Sequence, residues 1–118
     1  MPTAVPSPTY DRWSVVSVPF PYTDGERAQR RPAVVVSSDI TGRVYGVYWV
    51  VMITSAENKP WPEDVAIEDL GKAGLAHPSV VRPIKIATIQ HDRIDRILGT
   101  LGTREQGLVD PALRRILG

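Results

Sequence analysis

Short β-branched runs closed off by prolines dominate this chain and leave little from which a long helix or a βαβ unit can be built. SVVSVPF at 14–20 stops at Pro19 and Pro21, AVVVSS opens directly after Pro32, and SVV with RPIKIATI is broken at Pro83. Proline donates no hydrogen bond to a ladder, so each of these marks a strand end, an edge or a bend. AVVVSS is apolar without alternation, the pattern of a strand buried on both faces. Residues 44–54, VYGVYWVVMIT, are too β-branched and aromatic for a helix and are expected to form the longest strand. DVAIED alternates as a short strand between the polar loop 55–62 and a turn region from Gly71 to Pro78. RIDRILGTL is amphipathic in either period, so its assignment stays open. Thr103 with Gln106 matches a capping box, and Asp110 before Pro111 matches an N-cap with proline at the first helical position. A short turn and then a final helix over 110–117 follow, with Leu113, Ile116 and Leu117 as an apolar face that needs a partner surface. Five or six strands with one or two short helices predict a mainly β chain, a small, mostly antiparallel barrel ending in a helix.

At 118 residues the chain is one domain, able to bury roughly 65% of its unfolded surface. Residues 1–12 read as a flexible N-terminal segment and 13–118 as the single folded domain. Apolar residues at 42% and charged residues at 23% exclude disordered, collagenous and coiled-coil classes. A formal net charge of +1 means that no overall positive field draws the chain to nucleic acid, so such contact must come from a local cluster. The absence of cysteine removes disulfides, thiolate zinc sites, iron–sulfur clusters and thiol nucleophiles, and makes the cytoplasm the expected compartment. The longest nearly apolar run, 44–53, falls far short of the ~20 residues that span a bilayer, and the N-terminus lacks the basic and apolar regions of a signal peptide, so no membrane association is expected.

Phosphate-binding glycine loops, HExxH and GxSxG are absent, and no metal-ligand spacing is visible. The two histidines are the only imidazoles that could serve as the acid and base of a ribonuclease, but His77 before Pro78 in a turn and His91 in the polar IQHDR segment read better as surface residues. The loop 24–31 is more informative. It places Arg27, Arg30 and Arg31 within five residues, with Glu26 beside them, directly ahead of a buried strand. An arginine at the start of a strand is a planar, permanently charged donor that grips phosphate through two parallel bonds; a solvated basic turn is the competing reading. Thr54 and Ser55 put two hydroxyls at the end of the long strand, where rigid scaffolds present functional groups but where such residues also simply close turns. Tyr22 and Trp61, in loops, are placed to stack on unpaired bases, whereas Phe20 and Trp49 fall within strands.

Taken in order, VVSVPFPYTDG, RRPAVVVSSD, VYWVVMITS, PWPEDVAIEDLGKAGLAHPSVVRPIKIATI and VDPALRRILG resemble the MazF/PemK toxin family of bacterial toxin–antitoxin systems, over nearly the whole chain. The resemblance implies a barrel like that of the Src-homology-3 domain, shared with the gyrase poison CcdB. It also implies an endoribonuclease that cuts single-stranded RNA without metal or other cofactor. Attack by the RNA 2′-hydroxyl would leave a 2′,3′-cyclic phosphate and a 5′-hydroxyl. By position, Arg31 matches the family's catalytic arginine and Thr54 its catalytic hydroxyl residue; Glu26 matches an acidic loop position of some members. Tyr22, Glu26, Arg27, Arg30, Ser55 and Trp61 are then the expected RNA-binding residues. Arg31 is the natural stabiliser of the crowded phosphorane, and Thr54 better suited to hold an oxygen than to take a proton; no base is assigned. A homodimer and a cognate antitoxin whose flexible tail masks the RNA groove are further implications. The family usually has a glycine and an acidic residue where this chain has Trp13 and Ser14, a departure that touches architecture more than chemistry. The alternative is a non-catalytic or CcdB-like binding toxin on the same barrel, for which the Arg31 and Thr54 pair would have no use.

Overall fold

The computed structural model describes residues 9–19 and 29–118. Its strands are β1 (Ser14–Pro19), β2 (Arg30–Val35), β3 (Val47–Ser55), β4 (Val65–Ala66), β5 (Ser79–Gln90) and β6 (Arg96–Thr100), with helices α1 (Leu70–Ala73) and α2 (Thr103–Leu117). All paired strands are antiparallel, in the order β4-β5-β3-β2-β1-β6. The sheet curls into a half-barrel whose edge strands, β4 and β6, are not hydrogen-bonded to each other. Closure comes from packing instead: α1 follows β4 and sits on β6. Two glycines permit the approach, since a Cβ on Gly99 would run into the Lys72 carbonyl and one on Gly74, itself at φ +73°, into the Leu98 carbonyl.

Strand alternation divides the buried residues between the two faces of the sheet. Val15, Val34, Val51, Ile53 and Val81 turn toward α2, where Leu101, Val109 and Leu113 cover them. Val16, Val18, Ala33, Val35, Tyr48 and Val50 form a second cluster on the opposite face. Residues 33–37 are buried throughout, as their unbroken apolar pattern predicts. Contacts with the barrel begin ahead of Trp13: the Tyr10 amide donates to the Tyr48 hydroxyl at 3.0 Å, and Arg12 Nε to the Val36 carbonyl at 2.9 Å.

Four sequence expectations need correction. The run 44–54 is not one strand, and the longest strand is the twelve-residue β5. Thr41–Tyr45 instead forms a wide helical turn ended by Gly46 at φ 69°. Thr41 Oγ1 lies 2.9 Å from Ser37 Oγ, and this local bond, with a glycine able to turn left-handed, overrides the strand preference of Val44 and Tyr45. At the C-terminus there is one helix from Thr103, not a turn followed by a helix over 110–117. Gly102 is its N-cap, and the Gln106 amide donates to the Leu101 carbonyl at 2.8 Å in place of a capping-box bond. Pro111 sits inside this helix and removes one bond, but Glu105, Val109, Ala112 and Leu113 form a continuous buried face across it. Asp110 caps nothing and pairs with Arg12 at 2.9 Å and Arg114 at 3.5 Å. Of the expected apolar face only Leu113 is buried; Leu117 is 70% exposed. Finally, the turn region after Asp69 contains α1, capped when the Asp69 carboxylate accepts the Lys72 amide at 3.0 Å.

Pro83 lies inside β5 as a bulge. Val51 pairs with Ile86 and the next residue, Met52, with Arg82, so the register with β3 skips residues 83–85. The open segment RIDRILGTL resolves into a single turn at His91–Arg93 followed by β6.

Candidate active site

One end of the sheet carries a cleft of about 540 Å³, lined by Arg31, Pro32, Ile53, Thr54, Ser55, Glu57, His77, Pro78 and Ser79. Strand register explains why these residues meet. The β2–β3 ladder runs through Val35↔Val50, Val34↔Val51 and Ala33↔Met52, and two further steps bring Arg31 opposite Thr54. Arg31 and Thr54 share a face with Ala33, Val35 and Val50 because side chains two apart in a strand point the same way. On the other side of β3, Thr54 pairs with Val80 and Ser55 with Ser79, which sets the 77–79 segment against the strand end. Arg31 and His77 therefore stand on opposite flanks of β3, about two strand spacings or ~10 Å apart at the backbone.

Arg31 is poised for an anion. Its Nε is buried with no partner among the described residues, and Nη2 makes only a long, 3.5 Å contact to Gln29 Oε1. A buried, unmatched donor is costly, and a phosphate oxygen would satisfy it. Thr54 is 5% exposed, and its Oγ1 accepts a hydrogen bond from Asn58 Nδ2 at 2.7 Å. That bond uses one lone pair of the hydroxyl and leaves its proton available to a partner in the cleft that Thr54 lines. Ser55 closes the turn after β3, its Oγ accepting the Glu57 amide at 3.2 Å.

The other expected residues lie elsewhere. Arg30 Nη1 reaches the Arg93 carbonyl at 3.4 Å. Trp61 does not line the cleft; the Arg82 guanidinium lies 4.2 Å from its ring centroid and the Lys85 ammonium 5.3 Å. Arg82 is in turn held by Asp64, through Nε–Oδ1 at 3.0 Å and Nη2–Oδ2 at 2.9 Å, and by the Lys59 carbonyl at 2.9 Å. This knot orders the 55–64 loop that forms one rim of the site. Burial pushes the Asp64 carboxyl up, but the hydrogen bond from Arg82, the Trp61 amide and the Arg82 charge outweigh it and hold the group below the usual carboxylate range. Tyr22, Glu26 and Arg27 lie outside the described residues.

Asn58 and Glu57 carry no signal in their sequence context, and His77, read from sequence as a surface residue, is exposed but lines the cleft. The signal for His77 is topological: antiparallel pairing of β5 with β3 forces the residues just before β5 to meet those just after β3. Trp13 resolves the departure at the first strand, for it is the one described non-glycine residue with positive φ, at 77°. A glycine is the natural occupant of such a backbone. Here the strain is held by pairing on both sides, with the Trp13 amide donating to the Val35 carbonyl at 2.7 Å and its carbonyl accepting the Leu101 amide at 2.9 Å.

No curated protein sequence matches the chain significantly. Solved structures share its fold. An endoribonuclease in complex with its cognate antitoxin, from a mycobacterial species, superimposes with a TM-score of 0.75 at 21% identity, covering 92% of this chain and 95% of its own. MazF from Deinococcus radiodurans gives 0.74 at 24% identity, with 95% and 99% covered. The MazE–MazF complex of the same organism gives 0.72 at 22%, with 95% and 98% covered. The family model of PemK-like, MazF-like toxins matches residues 11–117, nearly the whole chain, and the chain belongs to this family of type II toxin–antitoxin toxins.

Proposed function

We propose that this toxin is an endoribonuclease acting on single-stranded RNA in the cytoplasm, with Arg31 and Thr54 at the reacting phosphate. The observation that carries the reading is the buried, unmatched Arg31 Nε and the Thr54 hydroxyl brought to one open cleft. Family membership supports it, as do the endoribonucleases among the structural relatives. The RNA supplies its own nucleophile. Its 2′-hydroxyl attacks the adjacent phosphorus, and the phosphorane gathers charge on its non-bridging oxygens. Arg31 meets that charge with a planar pair of donors and Thr54 with a third. The products are a 2′,3′-cyclic phosphate and a 5′-hydroxyl. Ser55, which lines the same cleft, and Arg30, next to Arg31 on β2, guide the strand around this point. The active particle is a homodimer, and a cognate antitoxin silences it by covering the cleft.

The test is incubation with a long single-stranded RNA in EDTA, with the new ends mapped. Cleavage to cyclic phosphate ends is expected, and it should vanish where a single 2′-deoxy nucleotide precedes the scissile phosphate. Cleavage that needs added magnesium at matched ionic strength, or that survives the deoxy substitution, would refute this chemistry.

A further inference from the structure

Transfer of a phosphoryl bond from O5′ to O2′ moves two protons, one off the 2′-hydroxyl and one onto the departing O5′, and Arg31 and Thr54 supply neither job well. A guanidinium does not give up its proton at working pH, and an un-ionised hydroxyl is a weak base. Among the described residues lining the cleft, two titratable groups are left, the Glu57 carboxylate on the turn after β3 and the His77 imidazole just ahead of β5. Among the described residues, Arg31 on β2 is the remaining charged group lining the cleft with them.

The turns that carry them are tied down at the backbone. The Glu57 amide is bonded to Ser55 Oγ. His77 precedes a proline, its carbonyl accepts the Ser79 hydroxyl at 2.7 Å, and the Pro78 carbonyl accepts the Ala56 amide at 3.0 Å. The two turns are thereby tied to each other across the strand end. His77 is exposed and makes no side-chain bond that would be broken on engaging a substrate among the described residues.

We propose that His77 is a catalytic residue, the general acid that protonates the leaving O5′, and that Glu57 takes the proton of the 2′-hydroxyl. The O2′–P bond forms as the P–O5′ bond breaks. The 2′ proton passes to the Glu57 carboxylate, the imidazolium gives its proton to O5′, and the pair is reset by exchange with water. An ionised carboxylate accepts only, whereas an imidazolium is the side chain that both holds and releases a proton near neutrality, which assigns the two roles. This assignment rests on the cleavage reading above.

The experiment compares RNA with a natural linkage and RNA carrying a 5′-bridging phosphorothiolate, whose thiolate leaves without protonation, in the wild type, His77→Gln and Glu57→Gln. His77→Gln is expected to lose about 100- to 10,000-fold on the natural linkage and less than about tenfold on the thiolate linkage, while Glu57→Gln loses on both. Circular dichroism melts keep misfolding separate from chemistry. Equal losses of His77→Gln on the two linkages, or a His77→Gln rate within about threefold of wild type on the natural one, would overturn the assignment. A wild type that cuts neither RNA would instead refute the nuclease reading itself.

Discussion

Arg31 is proposed to be nearly irrelevant to folding and central to chemistry. It is the second residue of β2, half-buried, with no ion pair among the described residues and one buried nitrogen unmatched. Arg31→Ala is expected to leave the melting temperature within a few degrees of wild type and to lower the cleavage rate by about 100- to 1,000-fold. Growth toxicity on expression should be lost in parallel. Asp64 is the opposite case. Its partner Arg82 is buried beside it, at 7% and 9% side-chain exposure, so removing one member strands the other. Asp64→Asn should cost about 3–5 kcal/mol in urea unfolding at neutral pH. Because the folded-state carboxyl titrates below its ordinary value, this contribution is fully present above the usual carboxylate range and is lost as pH falls through the folded-state value. The gap between wild type and variant should therefore narrow on acidification below about pH 4, a trend that parallel urea curves will read directly.

Among the elements, α2 and the α1–β6 contact respond differently to the same small substitution. Gly107 lies within α2, and a Cβ there would meet nothing within 4 Å. Gly107→Ala should stabilise the protein by about 0.5–1 kcal/mol, since it restricts the unfolded chain without crowding the folded one. Gly99 is packed against the backbone of α1, so Gly99→Ala must push α1 off β6 and open the seam of the half-barrel. A loss of about 1–3 kcal/mol is expected from such overpacking. Urea midpoints that move in the same direction for both variants would contradict this account of closure.

The molecule as a whole presents several large apolar side chains to solvent, among them Leu117 on α2 and Trp49 on β3, which rim a second cavity of about 410 Å³ with Val36, Ile86 and Leu113. Surfaces of this kind suit the association of copies or capture of an antitoxin segment. Sedimentation at micromolar concentration should show a dimer, and the antitoxin should abolish cleavage in the resulting complex. A fully active monomer would contradict the first expectation and undiminished cleavage by a stable complex the second. With a net charge of only +1, attraction to RNA must come from the local arginines rather than a global field.

Strand composition, proline placement and the RRP and ITS motifs determined, from sequence alone, that this is a mainly β toxin-family chain with Arg31 at the start of one strand and Thr54 near the end of another. Those features are local: a β-branched run or a proline imposes its preference wherever it falls. What only the tertiary structure decided are the places where distant segments compete or meet. Thr41–Tyr45 coils because Gly46 and the Ser37 hydroxyl are there to terminate and hold the turn, and α2 runs through Pro111 because its buried face against the sheet outweighs one missing hydrogen bond. His77 enters the cleft because antiparallel register carries it beside Ser55 and Glu57, some twenty residues away in the chain. Register is a property of a pair of strands, and no reading of either strand singly contains it.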